Sequence, residues 1–253
     1  MDLAIETRIL TESGCRELLA EFRFPGGHFE CPNCCCTRAY KLKTRDLIQC
    51  AECSKQVSLT SGTIFHKTRT PLIKLFKVVF NLASGSIMSA SDQAKELDMI
   101  YSTLWRFRQK LRVLIEKNFP NKDICTIDIK SLAHVLFRRS VESPGRDDNE
   151  VENQKESKAL DEGVFEPLSE LAARSATALS KHISTVYHGV SEKYSQLYST
   201  EYSFCLNGSK LKFDGLLSLL IRAGPTFADE LSKYSSPKIL RIPKLQAVPD
   251  AVP

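Results

Sequence analysis

The sequence lacks any run of about 18 apolar residues, the length that a membrane-spanning helix needs. We therefore expect no membrane partner. It also begins with an acidic, mixed stretch, MDLAIETRILTESG, where an export signal would be basic and then apolar. These absences predict a reducing compartment, namely the cytoplasm with nucleoid association, or the nucleus in a eukaryotic host. Cysteines in such a compartment serve metal sites more often than disulfides.

Nine cysteines are present, and four of them form two Cys-x-x-Cys pairs, Cys31/Cys34 and Cys50/Cys53. Each such turn offers two thiolates, and a short hairpin can bring both turns onto one Zn²⁺ ion. The strand-like stretches 39–43 and 46–49 lie between the pairs, and a third alternating stretch covers 54–60. This spacing predicts a zinc ribbon in which the four cysteines hold a structural zinc.

Other interpretations of the cysteines are weaker. Disulfides would suit a small secreted domain, and a redox pair would account for only one of the two turns. Cys35 is an alternative to Cys34 as a ligand, because three cysteines stand in a row. We favour Cys34, since its spacing from Cys31 matches that of the second pair. His66 is a further candidate, but four thiolates already complete a tetrahedral shell.

Charge is unevenly distributed along the chain. Residues 37–117 contain fifteen Lys and Arg against six acids, whereas residues 141–170 contain ten acids against three bases. A basic first half indicates a polyanionic partner, and double-stranded DNA fits best. The basic residues on or beside the ribbon hairpin are expected to contact phosphates: Arg38, Lys41, Lys43 and Arg45.

Helical spacing dominates outside the ribbon. Thr11 is expected to cap a helix over 11–22, and Pro71 precedes another apolar helical pattern. A short helix over 89–97, a break at 98–100 and a basic helix over 102–112 then predict a helix-turn-helix. The alternative is an ordinary helical hairpin with a solvated charged face. On the second helix we expect base contacts from Ser102, Thr103 and Arg106, and phosphate contacts from Arg108, Lys110 and Arg112.

The second half of the chain is less regular. A short strand is expected at 124–129, and helices are expected at 168–180, 194–202 and 213–222. Residues from 235 onward contain four of the eleven prolines, so little regular structure is expected there. The expected units are an N-terminal helix with zinc ribbon at 1–68, a helix-turn-helix domain at 69–120, a short strand segment at 121–140, an acidic linker at 141–167, a helical part at 168–234 and a Pro-rich tail at 235–253.

Three blocks of the chain resemble the zinc-ribbon DDE transposases of the ISXO-like insertion sequences, relatives of the Merlin transposons. They are CRELLAEFRFPGGHFECPNC, QCAECSKQVSLTSGTIFHKTRTPL and SASDQAKELDMIYSTLWRFRQKLR. A fourth block, YHGVSEKYSQLYSTEYSFCLN, resembles the end of the family pattern. Together, residues 10–128 and 186–207 carry the resemblance. It implies that the ribbon and helix-turn-helix bind transposon DNA, and that an RNase H-like domain cuts and joins it.

In that family three carboxylates hold two divalent metal ions, Mg²⁺ or Mn²⁺, and the resemblance places Asp128 at the first position. Only 57 residues (129–185) separate Asp128 from the matching block at 186–207, too few for the strands of an RNase H-like sheet. The family's spacing, counted back from Tyr187, places the third carboxylate near 172–174, where no Asp or Glu is present. Glu170 would need a register shift to take that position. The expected fold is therefore α+β and modular, with a zinc ribbon, a helix-turn-helix and a degenerate, mostly helical RNase H-like remnant.

The favoured function is a DNA-binding, transposase-like protein without strand-transfer activity. One alternative is an active compact transposase that uses Asp128 with a divalent metal. A second alternative is a transcription-factor-like adaptor whose ribbon binds protein. The expected partner is double-stranded DNA, and a homo-oligomer is left open.

Overall fold

The protein is described from a computed structural model. The structure describes residues 7–42, 47–86, 88–118, 124–129, 170–206, 213–222, 224 and 228–244. Within them the fold is α+β, with a small N-terminal β region and a mostly helical remainder. The expected acidic linker at 141–167 lies outside the described residues.

The N-terminal β region is a three-stranded antiparallel sheet. Its strands are β1 (Ala39–Leu42), β2 (Leu47–Cys50) and β3 (Gln56–Ser58), with β2 in the middle. Tyr40 pairs with Gln49. Few apolar side chains support this sheet, and its buried residues are Phe29, Cys31, Cys50 and Val57. A core of this size is too small to hold a sheet without a further crosslink.

Helix α1 (Glu12–Arg23) precedes the sheet. The Thr11 side chain accepts a hydrogen bond from the backbone N–H of Gly14 at 3.1 Å, so the predicted cap is confirmed. Cys15 and Leu18 lie on the buried face of the helix, as their spacing predicted. The pKa of Cys15 is raised to about 12 because burial disfavours the thiolate, which is the behaviour of an inert core thiol.

Three helices follow the sheet: α2 (Leu72–Ala83), α3 (Ala90–Glu96) and α4 (Tyr101–Asn118). Helix α2 begins after Pro71, which has no side-chain acceptor for the free N–H groups of the first turn. Glu12 of α1 supplies that acceptor: its carboxylate accepts from the N–H groups of Leu72 at 3.1 Å and Ile73 at 3.0 Å. The first helix therefore caps the second one, and the contact fixes their relative position.

A tight turn joins α3 to α4. Ser89 caps α3 by accepting from the N–H of Asp92 at 3.1 Å, as predicted. At the other end, the N–H of Met99 donates to the carbonyl of Ala94 at 2.8 Å, and Asp98 takes a positive φ of 47°. These features form a Schellman motif, which ends α3 sharply and sets the direction of the chain into α4.

The remaining described elements form the C-terminal part. They are β4 (Ile124–Asp128), α5 (Glu170–Tyr187), α6 (Ser195–Leu206), α7 (Phe213–Arg222), α8 (Ala228–Ser232) and β5 (Ile239–Pro243). Strands β4 and β5 pair antiparallel, with Ile127 opposite Leu240. The expectation of little regular structure after residue 235 is therefore wrong for β5. Its apolar residues pack against α5, and the Gln196 side chain bonds both backbone groups of Arg241.

The main core contains residues from both the N-terminal and the C-terminal parts of the chain. It contains Leu18 of α1, Phe76 of α2 and Leu104 of α4 together with Leu216 and Leu220 of α7. Phe65, in the connection between the sheet and α2, stacks on Phe76 with ring centroids 5.4 Å apart. Residues assigned from the sequence to three different units thus share one hydrophobic core. The N-terminal helices and the C-terminal helices are expected to fold together.

Replacing Glu12 by alanine tests the cap between α1 and α2. We expect the free energy of unfolding to fall by about 1–2 kcal/mol, because the first turn of α2 loses its acceptor. Urea denaturation measures the change. Glu17→Ala is the matched control, since Glu17 is an exposed glutamate on the same helix. Equal losses in the two variants would contradict the capping role.

Candidate zinc ribbon and nucleic-acid interface

The four cysteines of the two Cys-x-x-Cys turns meet at one point. All four Sγ atoms lie within 4.8 Å of one another, and the Cys31–Cys53 and Cys34–Cys50 pairs are each 3.5 Å apart. A disulfide would bring two sulfurs to about 2 Å. A tetrahedral zinc with bonds of about 2.3 Å would separate them by about 3.8 Å. The cluster therefore fits a structural Zn²⁺ ion.

The two turns have the same backbone geometry. The residues after their second cysteines, Cys35 and Ser54, take positive φ angles of 57° and 56°. The N–H of Cys31 donates to the carbonyl of Cys36, and the N–H of Cys50 donates to that of Lys55, both at 3.0 Å. Cys35 thus occupies the place of Ser54, and the group of four converging sulfurs includes Cys34 and not Cys35. This geometry favours Cys34 over Cys35 as the ligand.

His66 does not join the cluster. Its Nδ1 accepts a hydrogen bond from the N–H of Gly62 at 3.4 Å. Within the part of the chain that the structure describes, the four thiols are the only group of three or more His, Cys, Asp or Glu side chains placed to hold one ion.

Hydrogen bonds to the backbone and between the sulfurs give Cys53 and Cys34 different pKa values. The backbone N–H of Lys55 and the Asn33 side chain lower the pKa of Cys53 to about 6. The backbone N–H of Cys36 lowers the pKa of Cys34, but hydrogen bonds to the other three sulfurs help to raise it to about 12. Four thiolates cannot share this volume without a compensating positive charge, and a divalent cation supplies one.

The ribbon is fastened to α1 through one arginine. The Arg23 guanidinium donates to the carbonyl of Ser58 at 2.7 Å and also to the carbonyl of Leu59. The same guanidinium lies over the ring of Phe24, 5.1 Å from its centroid. Burial lowers the pKa of Arg23 from its ordinary value. These contacts hold the last ribbon strand against the helix that caps α2.

The predicted phosphate contacts on the hairpin are only partly covered by the structure. Lys41 is exposed on β1, whereas Lys43 and Arg45 lie outside the described residues. Arg38 forms an ion pair with Glu52, and both side chains are largely exposed. Such a surface pair contributes little to stability, so a phosphate group can replace the carboxylate.

Helix α4 divides the predicted DNA contacts into two groups. Ser102, Thr103 and Arg106, near its N-terminal end, are exposed, and Lys110 is half-buried. Arg108 and Arg112 are buried, with 6% and 1% of their side chains exposed. The prediction that these two arginines contact phosphates is wrong, because they point into the protein.

Their partner is Glu201 of α6. Its carboxylate accepts from Arg108 Nη2 at 3.0 Å, from Arg112 Nη2 at 2.7 Å and from Arg112 Nε at 2.9 Å. The hydroxyl of Tyr187 donates to the same carboxylate at 2.8 Å, and the Tyr198 ring lies 3.8 Å from the Arg112 Cζ atom. We call these five residues the Glu201 cluster.

The Glu201 cluster also reaches the start of α3. Arg108 Nη1 donates to the backbone carbonyl of Met88, next to the Ser89 cap, at 2.7 Å. One guanidinium on α4 therefore contacts both the residue before the α3 cap and a carboxylate on α6. The cluster fixes α3 and α4 relative to each other and to α6 in the C-terminal part.

A sequence signal for this burial exists. Arg108 follows Leu104 by four residues and Arg112 precedes Ile115 by three, so both arginines share a face with core side chains. The number of basic residues alone does not indicate that Arg108 and Arg112 are buried. Glu201 was not predicted as a site residue, although it lies in the block YSTEY that carries the resemblance.

Asp128 is exposed at the end of β4. Its backbone pairs with Ile239 of β5, and the next residue, Ile129, is buried. Among the described residues, no group of three or more metal-binding side chains includes Asp128.

Comparison with known families gives a result for the N-terminal region. Residues 10–56 match the transposase zinc-ribbon domain family. The match begins just before α1 and ends at β3, so it contains both cysteine turns. No curated protein and no solved structure matches the chain. The transposase zinc ribbon indicates a transposase-related, nucleic-acid-binding role. In the described part of the chain, the helices are all too short or too polar to cross a membrane.

Zinc content tests the metal site. We expect one Zn²⁺ per chain, and we expect Cys34→Ser to lose it because three thiolates hold zinc much less tightly than four. Elemental analysis of the purified chain measures the zinc, and circular dichroism after chelation follows unfolding of the ribbon. Cys35→Ser is the matched control and should keep its zinc. Zinc loss in Cys35→Ser with retention in Cys34→Ser would reverse the assignment.

Replacing Glu201 by glutamine tests the buried cluster. The two arginines would remain buried without a negative charge, so we expect the free energy of unfolding to fall by about 3–5 kcal/mol. Denaturant titration at neutral pH measures it. Glu52→Gln, which removes the carboxylate of an exposed pair, should change stability by less than about 1 kcal/mol.

The same cluster predicts a pH dependence. Burial raises the pKa of Glu201, but the charges of Arg112 and Arg108 outweigh burial and lower it from 4.5 to about 2. The folded-state pKa is depressed, so this stabilisation is fully present above about pH 4.5 and is lost as the pH falls towards 2. Glu201→Gln should show a weaker loss of stability between pH 4.5 and 2. An unchanged slope would contradict ionisation of Glu201 in the folded protein.

Proposed function

We propose that this protein is a DNA-binding relative of transposases, which recognises transposon-end DNA and does not carry out strand transfer. The observation that carries the proposal is the exposed N-terminal end of α4, in a chain whose ribbon matches a transposase domain. Helix α3, the Schellman turn and α4 form the helix-turn-helix, and α4 is its recognition helix.

Recognition of bases falls to the exposed side chains at that end of the helix. Ser102 and Arg106 are four residues apart and share a face, and Thr103 lies beside them. An arginine can donate two hydrogen bonds to the major-groove edge of guanine, and hydroxyls can bond several bases. We assign the specific contact with guanine to Arg106.

We assign the binding of phosphates to basic residues of the ribbon and of α4. The described ones are the exposed Arg38 and Lys41 and the half-buried Lys110, and we propose Lys43 and Arg45 as further ones. The segment 37–117 has a surplus of nine positive charges, and it keeps a surplus of seven without the two buried arginines. This charge supports binding to a polyanion.

Zinc has a structural role in this proposal. The ion would be held by Cys31, Cys34, Cys50 and Cys53, and it would supply folding free energy to a sheet with a very small core. The residues themselves present β1 with its exposed Lys41 and keep β3 against α1 through Arg23. No chemical step is assigned to the metal.

Asp128 is the residue that separates this proposal from an active transposase. Hydrolysis with two metal ions needs several carboxylates at one site. The proposal predicts no Mg²⁺- or Mn²⁺-dependent nicking of duplex DNA. Nicking that disappears in Asp128→Ala would contradict it and would favour the compact, active enzyme.

Arg106→Ala tests the recognition helix. We expect affinity for a selected specific duplex to fall about 10–100-fold, and affinity for unrelated duplex to change much less, because the guanine contact is lost. The full zinc-loaded chain and fluorescence anisotropy provide the measurement. Arg174→Ala, an exposed arginine on α5, is the charge-matched control and should bind both duplexes normally. Equal loss on both duplexes would make Arg106 a phosphate contact.

A further inference from the structure

Ile100 has an unusual environment for a large apolar side chain. It is 74% exposed, the largest value among the described exposed large hydrophobic residues. Its backbone carbonyl accepts from the N–H groups of Thr103 at 3.0 Å and Leu104 at 3.1 Å. Ile100 is therefore the N-cap residue of α4, immediately before the exposed end that we assign to DNA.

An isoleucine at this position does not stabilise the start of α4. N-cap positions favour Ser, Thr, Asp or Asn, whose side chains accept from the free N–H groups, and isoleucine cannot do so. The side chain also gains no burial in the folded protein. Helices α1 and α3 of the same chain use Thr11 and Ser89 at the corresponding position. A residue that breaks local rules without a folding benefit is typical of a binding site.

The position of Ile100 is well defined. Asp98, two residues earlier, forms an ion pair with Lys74 at 3.2 Å, and its carbonyl accepts from the same ammonium group. Met99 packs against the main core. These contacts hold the backbone of the turn from which the Ile100 side chain projects.

The neighbours of Ile100 indicate what it meets. Thr103 is one helical turn away on the adjacent side of α4, and its methyl group extends the apolar surface. Arg106 is also exposed, six residues farther along the chain than Ile100. The separation along the helix axis is about 9 Å at 1.5 Å per residue, so both side chains can reach the same stretch of duplex. The wider segment 37–117 carries a surplus of positive charge, which complements DNA.

We infer that Ile100, together with the methyl group of Thr103, recognises the 5-methyl group of a thymine in the major groove of the target duplex. This inference rests on the proposed function and adds a base preference to it. Thymine is the only standard DNA base that presents a methyl group there, and apolar side chains distinguish it by contact. The target site then contains a thymine within a few base pairs of the guanine bound by Arg106.

Exchange of thymine for uracil tests the contact, because it removes only the methyl group. A duplex is first selected from a random pool by the full zinc-loaded chain, and is then synthesised with uracil at each thymine in turn. We expect one position at which uracil lowers the affinity about fourfold, the effect of one buried methyl group. In Ile100→Ala, the difference in affinity between thymine and uracil at that position should fall to less than half, because only the Thr103 methyl group remains.

Ile100→Ser separates recognition from folding. Serine can cap α4, so this variant should unfold at a higher temperature than the wild type while it loses the thymine preference. If Ile100 had only a structural role, Ile100→Ser would lower both the unfolding temperature and the thymine preference. Thermal unfolding of the free protein and anisotropy with the two duplexes provide the measurements.

The outcomes distinguish this inference from the proposed function. Absence of binding to any duplex would overturn both. Binding with no sensitivity to uracil would overturn the inference alone. A thymine preference that survives in Ile100→Ala and disappears in Tyr101→Ala would assign the contact to Tyr101, which is 55% exposed, and would also overturn it.

Discussion

The buried carboxylate of Glu201 between Arg108 and Arg112 is the interaction on which the arrangement of helices depends. All three side chains are at most 6% exposed, so two positive charges share one carboxylate away from water. Removing Glu201 would leave both arginines buried without a negative partner. The pair of arginines belongs to α4 and the carboxylate to α6, and Arg108 also holds the residue before α3. The direction of the proposed recognition helix is therefore set by the C-terminal part of the chain.

This arrangement changes the interpretation of the C-terminal part. The sequence suggested a remnant of a catalytic domain, joined to independent DNA-binding modules. In the structure, α7 contributes to the same core as α1, α2 and α4, and α6 supplies Glu201. Strand β5 pairs with β4 more than a hundred residues away in the chain. These elements have a clear structural role in presenting α4, whether or not any catalytic role remains for Asp128.

Local patterns in the sequence predicted much of this structure. The Cys-x-x-Cys spacing predicted the ribbon, and hydroxyl side chains at Thr11 and Ser89 predicted two helix starts, because these signals depend on a few neighbouring residues. Long-range contacts were not predictable in the same way. The cap of α2 comes from Glu12, sixty residues earlier. Strand β5 lies in a proline-containing stretch, for which the sequence indicated little regular structure.

The basic residues show why a charge count is insufficient. Arg106 and Arg112 look equivalent in the sequence, yet one is exposed and the other is buried against a glutamate. Their helical positions separate them, since Arg112 shares a face with core residues and Arg106 does not. Without the buried arginines, the candidate DNA-binding site consists of a zinc-held ribbon with exposed basic residues and the first two turns of α4.

The salt dependence of duplex binding tests the central claim, that this basic surface meets the phosphates of DNA, most directly. Affinity of the full zinc-loaded chain for duplex DNA is measured by anisotropy across a series of NaCl concentrations. If Arg38, Lys41 and Lys110 each displace a counterion, the logarithm of the affinity falls against the logarithm of salt with a slope of about −3 or steeper. Binding that is absent at low salt, or a slope near zero, would contradict the account.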